Sequence, residues 1–65
     1  MISTAEQLDA IIDWIEDERA PDKFNSNTIY GIRMNYQQYG EFTERQKTAI
    51  YNIYTKFKIG RHMYR

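Results

Sequence analysis

The sequence has no cysteine, a single histidine and a single proline among its 65 residues. Without cysteine the chain has no disulfide and no thiolate metal site. His62 alone cannot build a zinc centre, which usually takes about three or four protein ligands. A chain this short lies near the lower limit for one hydrophobic core. The fold must therefore be stabilised by packing and, in one reading, by a partner.

Long apolar runs and regular alternation are also missing. No stretch of about eighteen apolar residues predicts a membrane span, and no basic-then-apolar leader predicts secretion. No segment keeps the two-residue alternation of a strand. The chain is 42% hydrophobic and 28% charged, which is typical of a folded soluble domain. We therefore expect one all-α domain over residues 1–65, located in the cytoplasm.

Charge is divided along the chain although the formal net charge is zero. Residues 1–22 carry seven acids and one arginine, a net charge of −6. Residues 23–65 carry eight basic residues and two acids, a net charge of +6. The chain is thus a charge dipole in sequence.

The first predicted helix runs from about residue 4 to 19. Ser3 and Glu6 have the spacing of a capping box, and Thr4 with Gln7 repeats it one residue later. Apolar residues at helical spacing then predict a core-facing stripe. This stripe consists of Leu8, Ile11, Ile12 and Ile15.

A second face of the same helix is acidic. Carboxylates one turn apart repel one another, so this face is either a solvated surface, a surface neutralised by a basic third helix, or a docking surface for a basic protein. Its members are Glu6, Asp9, Asp13, Glu16 and Asp17.

Trp14 lies a quarter-turn or more from the centre of the apolar stripe. We therefore expect it to be partly exposed, either covering the edge of a small core or serving as an interface residue, because Trp is enriched at binding hot spots. Tyr30 and Tyr51 are the tyrosines that we group with it as an aromatic binding set.

The second predicted helix runs from about residue 26 to 39. Pro21 disfavours helical geometry before it and lacks an amide hydrogen, and residues 25–27 are three successive N-cap candidates. Gly31 in this helix suggests close approach of another backbone.

A turn then connects to a third predicted helix, from about residue 44 to 58. Gly40 can adopt the left-handed conformation that closes a helix, and Thr43 with Gln46 forms a capping box. Phe42 precedes the cap, where an apolar residue often packs back onto its own helix. Gly60 is a candidate helix stop, the basic tail is placed at 59–65, and residues 61–65 are expected to fray. These elements predict a small three-helix bundle, in which helices two and three form an antiparallel hairpin and helix one packs across them.

Residues 24–58 resemble a short helical hairpin that recurs in small proteins of tailed bacteriophages. The resemblance leaves the acidic first helix outside, and it brings no catalytic residues. It implies an accessory or host-directed protein in the host cytoplasm, in some cases attached to nucleic-acid metabolism. It rests on Phe24, Ile29, Ile32, Gln38, Tyr39, Gly40, Phe42, Thr43, Gln46, Ile50, Ile53 and Phe57.

Catalysis is not expected, and neither is a cofactor. The only histidine lies in the tail, away from any fixed nucleophile, and no phosphate-binding glycine loop or nucleotide fingerprint is present. Direct nucleic-acid binding is the alternative function, because basic residues and tyrosines share the C-terminal half. The residues that would carry it are Lys47, Lys58, Arg61, Tyr64 and Arg65.

The function that the sequence favours is a small protein-interaction module, a regulator or inhibitor of a host nucleic-acid-handling protein. It would bind through the acidic face, through the aromatic set, or through both. A homodimer, with the acidic helix of one copy against the basic helix of another, belongs to the same class.

Overall fold

A computed structural model describes residues 3–60, and these residues form three α-helices and no strand. The helices are α1 (Thr4–Glu16), α2 (Ser26–Tyr39) and α3 (Glu44–Lys56). The predicted small three-helix bundle is confirmed, as are the bounds of α2. The first and third helices end earlier than the predicted residues 19 and 58.

Two predicted capping boxes begin α1 and α3. The Glu6 amide donates to the Ser3 hydroxyl at 3.2 Å, and the Glu6 carboxylate accepts from the Ser3 amide at 3.3 Å. At α3, the Gln46 amide donates to the Thr43 hydroxyl at 3.1 Å, and the Thr43 amide donates back to the Gln46 side chain at 3.0 Å. Each box satisfies backbone donors that have no partner within the helix.

A residue in the left-handed conformation ends α1. Glu18 has a φ of 60°. The Arg19 amide donates to the Trp14 carbonyl at 3.1 Å, and the Glu18 amide donates to the Ile15 carbonyl at 3.0 Å. This pair of bonds is the Schellman motif, which usually has glycine where this chain has Glu18. Helix α1 therefore ends before Ala20, the residue in which Pro21 disfavours helical geometry.

The end of α3 also has a residue in the left-handed conformation, and its consequence is larger. Lys58 has a φ of 53°, and its amide donates to the Thr55 carbonyl at 3.2 Å. The reversal carries the next residue, Ile59, into the core, where it is fully buried. The first residue of the predicted basic tail is therefore a core residue. Fraying was predicted for residues 61–65. Residues 61–65 lie outside the described part of the chain.

Helix α1 is the element on which the other two helices pack. It contacts α3 more extensively than α2, and the α2 and α3 backbones approach each other little. Two buried residues belong to α2, Ile29 and Ile32, and one to α3, Ile50. Six belong to α1, namely Gln7, Leu8, Ala10, Ile11, Ile12 and Trp14.

The expected partial exposure of Trp14 is wrong, because its side chain is only 3% exposed. At about 100° per residue, Gln7, Ala10 and Trp14 form a second stripe beside the predicted apolar one. With neighbours on two sides, α1 buries both stripes. The Trp14 ring packs against Phe24 and Phe57, with centroids 5.1 and 5.0 Å away.

The turn between α2 and α3 is held by an aromatic stack. Gly40 takes the predicted left-handed conformation, with a φ of 77°, and its amide donates to the Tyr36 carbonyl at 2.7 Å. The Phe42 ring lies parallel to that of Tyr36, with centroids 4.2 Å apart. Phe42 thus packs onto the preceding helix.

The glycines in and after the helices differ in their surroundings. Gly31 has open space where a Cβ would lie, so the predicted close backbone approach is wrong. At Gly60, a Cβ would lie 2.5 Å from the Tyr54 hydroxyl oxygen. The glycine that is closely approached is thus Gly60, and the atoms that approach it belong to the Tyr54 side chain.

Candidate interaction surfaces

The acidic face of α1 is fully presented to solvent. Its five members, defined above, are all exposed. Within residues 3–60 the only ion pair joins Lys47 to Glu44 within α3, at 3.5 Å. The described part of the third helix therefore does not neutralise this face, and the carboxylates are available to an external cation.

The position of these carboxylates also disfavours the helix itself. Asp13 has Asp9 one turn before it and Glu16 and Asp17 one turn after it, and like charges at these spacings repel. The last turn of α1 contains no basic residue. The negative end of the helix dipole is thus surrounded by carboxylates, the unfavourable arrangement.

The structure does not bring the aromatic set together. Trp14 is buried, Tyr30 is half-buried against the core, and Tyr51 is 47% exposed. Because Trp14 cannot reach a partner without disrupting the core, it is not a surface binding residue. Other large exposed apolar side chains in the described chain are Met34 and Tyr39, at 70% and 66%.

The basic surface proposed for nucleic acid is described only in part. Lys47 and Lys58 are exposed, and Lys47 is engaged with Glu44. Arg61, Tyr64 and Arg65 lie outside the described residues. Of the five residues predicted for this surface, the part of the chain that the structure describes contains Lys47 and Lys58.

Sequence reasoning missed an open groove between α3 and the segment that precedes α2. The groove has a volume of about 530 Å³. Phe24 and Phe57, which cover Trp14, also line it, and their ring centroids are 5.6 Å apart. The available signal was two phenylalanines, one just before α2 and one just after α3, that could meet only across the bundle. The remaining lining residues are Pro21, Lys23, Asn25, Ala49, Asn52, Ile53 and Lys56.

Other kinds of site receive no support from the described chain. Within residues 3–60, no three His, Cys, Asp or Glu side chains come together where a metal ion could be held. None of the helices in this range combines the length and the apolar character that crossing a bilayer requires. Comparison of the chain with protein-family models, curated proteins and solved structures found no match.

Proposed function

We propose that this chain is a small non-enzymatic interaction module that binds a basic surface of a partner protein through the acidic face of α1. The observation that carries the proposal is a charge pattern unfavourable to the fold. Neighbouring carboxylates of this face repel one another, Glu16 and Asp17 oppose the helix dipole at the end of α1, and none of the five has an ion-pair partner within residues 3–60. Proteins retain such locally unfavourable arrangements most often where function requires them.

The packing of α1 suits this role. Residues of the two stripes that face away from these carboxylates, such as Ile11 and Trp14, are almost completely buried. A rigid helix holds its carboxylates at fixed spacing, so little side-chain and backbone order has to be gained on binding. The negative face would also accelerate encounter with a basic partner, and this steering would weaken as salt rises.

The setting that we infer is regulation or inhibition, in the manner of a bacteriophage accessory protein that occupies a basic groove of a host nucleic-acid-handling protein. Aromatic contacts would come from Tyr51 and from the outer edge of Tyr30, without Trp14. A homodimer, in which the acidic face meets α3 of a second copy, is the other arrangement of the same class.

The test is affinity capture from bacterial lysate at moderate salt, with nuclease treatment, using two matched double variants. Asp9→Asn with Asp13→Asn removes two charges from the acidic face. Asp22→Asn with Glu41→Gln removes two charges elsewhere and leaves that face intact. We expect one dominant basic protein with the wild type and the second variant, and its loss with the first.

Two other outcomes would contradict this proposal. Equal capture by both double variants would refute binding through the acidic face. Recovery that disappears after nuclease treatment would favour the alternative function, nucleic-acid binding through the basic C-terminal half, and oligonucleotide titration of Lys58→Glu would then test it.

A further inference from the structure

The groove between α3 and residues 21–25 has an apolar floor and a basic rim. Phe24, Ile53 and Phe57 are half-buried apolar residues that pack on the core and also line the groove. Lys23 and Lys56 line it as well, and both are exposed. The Lys56 ammonium lies 5.5 Å from the centroid of the Phe57 ring, which places a cation beside the apolar floor.

Among residues 3–60, no carboxylate lines this groove. Acidic and basic residues are equally numerous in the chain, nine of each. The lining of the groove differs from this average because it contains lysines and no acid. The nearby Glu18 and Asp22 line a separate depression on the other side of Pro21 and Phe24. The groove is therefore locally positive beside an otherwise acidic region.

The N-terminus of α2 adds to this positive character. Asn25 lines the groove and is the N-cap of α2, yet its side chain makes no capping hydrogen bond. The first turn of α2 contains no acidic residue. The Ser26 amide donates to the Phe24 carbonyl, and the remaining amides of the first turn, together with the helix dipole, make such an end favourable for a carboxylate.

We propose that this groove binds a short acidic segment of a partner protein, with an apolar side chain on the Phe24 and Phe57 rings and carboxylates beside Lys23, Lys56 and the start of α2. Charge complementarity identifies the occupant as acidic. The groove is open, whereas pockets for small molecules typically enclose about 70–90% of the ligand surface. An extended peptide suits the open shape better. This site does not depend on the acidic face of α1.

The experiment titrates two synthetic twelve-residue peptides into the ¹⁵N-labelled full chain at low salt. One peptide alternates Leu and Phe with Asp and Glu, and the other has Lys at every acidic position. Trp14 is the only tryptophan, and it contacts two residues of the groove floor. We therefore expect the acidic peptide to change its fluorescence and the amide signals of residues 23–25 and 49–57, and the basic peptide to change neither.

Variants distinguish the groove from general charge attraction. Lys23→Glu with Lys56→Glu should weaken binding of the acidic peptide about tenfold or more, because two attractions become repulsions. Arg33→Glu is the control, since Arg33 is exposed on α2 and does not line the groove. It should change the affinity less than about twofold.

Four results would overturn the proposal. They are no binding of the acidic peptide, equal binding of both peptides, unchanged affinity in the double lysine variant, and an equal loss of affinity in Arg33→Glu.

Two further measurements distinguish other occupants of the groove. Octanoate that shifts the same signals while the peptide does not would assign the groove to small amphiphiles instead. Self-association in sedimentation, with groove signals shifting on dilution, would assign it to a second copy. Loss of peptide binding leaves the lysate experiment on the acidic face unaffected, so the two proposals can fail separately.

Discussion

Helices α1 and α2 are almost equal in length, with 13 and 14 residues, but they contribute very differently to the fold. Six residues of α1 are buried and only two of α2. The difference follows from position, because α1 has a neighbour on two sides and α2 packs mainly on α1. The helix with the most unfavourable surface charge is thus the one most firmly held by its core. This arrangement lets α1 tolerate the charges that we assign to binding.

The largest expected effect tests the burial of α1. Trp14→Ala should destabilise the fold by about 3–5 kcal/mol, which is enough to unfold a domain of this size. Met34→Ala on α2 should change the stability by less than about 0.5 kcal/mol, because the side chain is exposed. Urea unfolding followed by far-UV circular dichroism measures both.

Trp14→Phe serves as the milder variant if Trp14→Ala does not fold. It keeps a ring between Phe24 and Phe57 and should remain folded with reduced stability. Equal losses of stability in Trp14→Ala and Met34→Ala would contradict the conclusion that α1 contributes more to the core than α2.

The second prediction compares two glycines that differ in their surroundings. Gly60→Ala should destabilise by about 1–3 kcal/mol, because the new methyl group would collide with the Tyr54 hydroxyl. Adding Tyr54→Phe should recover part of the loss. Gly31→Ala, on the open side of α2, should stabilise by about 0.5–1 kcal/mol through helix propensity. Thermal unfolding would show opposite shifts, and shifts of one sign would contradict the packing described here.

The third prediction concerns the end of α1. Glu18→Gly should stabilise by about 0.5–1 kcal/mol, because glycine adopts the left-handed conformation without the steric penalty of a side chain. Glu41→Gly is the control: Glu41 is exposed, and it is not among the residues with positive φ. Its replacement should give no such gain. A loss of stability in Glu18→Gly, measured by urea unfolding, would argue against the Schellman ending.

The smallest expected effect is on the acidic face. Asp13→Asn should stabilise by a few tenths of a kcal/mol at low ionic strength, because it removes repulsion from Asp9, Glu16 and Asp17. The gain should fade toward 1 M salt, where the Debye length is about 3 Å. Asp22→Asn, outside the helices, should show no comparable gain. A salt-independent result at Asp13 would mean that the face carries no net repulsion.

Sequence reasoning located α1 and α3 because their starts carry explicit chemical signals. Ser3 with Glu6 and Thr43 with Gln46 formed as predicted, as did the left-handed Gly40. The ends of α1 and α3 were misplaced because Glu18 and Lys58 adopt a conformation for which their side chains give no signal. Tertiary packing decides those positions. At the end of α3, the left-handed residue allows Ile59 to be buried in the core.

The candidate sites were less predictable than the fold. The exposure of the acidic face followed from helical periodicity. The burial of Trp14 did not, because one apolar stripe predicts one neighbour, and α1 has two. A usable signal existed: all five acids lie on one side of α1, which leaves Gln7, Ala10 and Trp14 on an uncharged second side. The groove could not be predicted from the sequence, because its prediction requires knowing which segments meet across the bundle.

The dependence of α1 on α3 has a consequence for biosynthesis. Helix α1 is made first, but its main partner begins at Glu44, and Ile59 completes the core. At about 5–20 residues per second, the apolar side of α1 waits on the order of several seconds for its partners to be synthesised. During that interval the carboxylates would keep this segment hydrated, since an isolated 13-residue helix is only marginally stable in water. The same charges that weaken the finished helix would then protect it before it has anything to pack against.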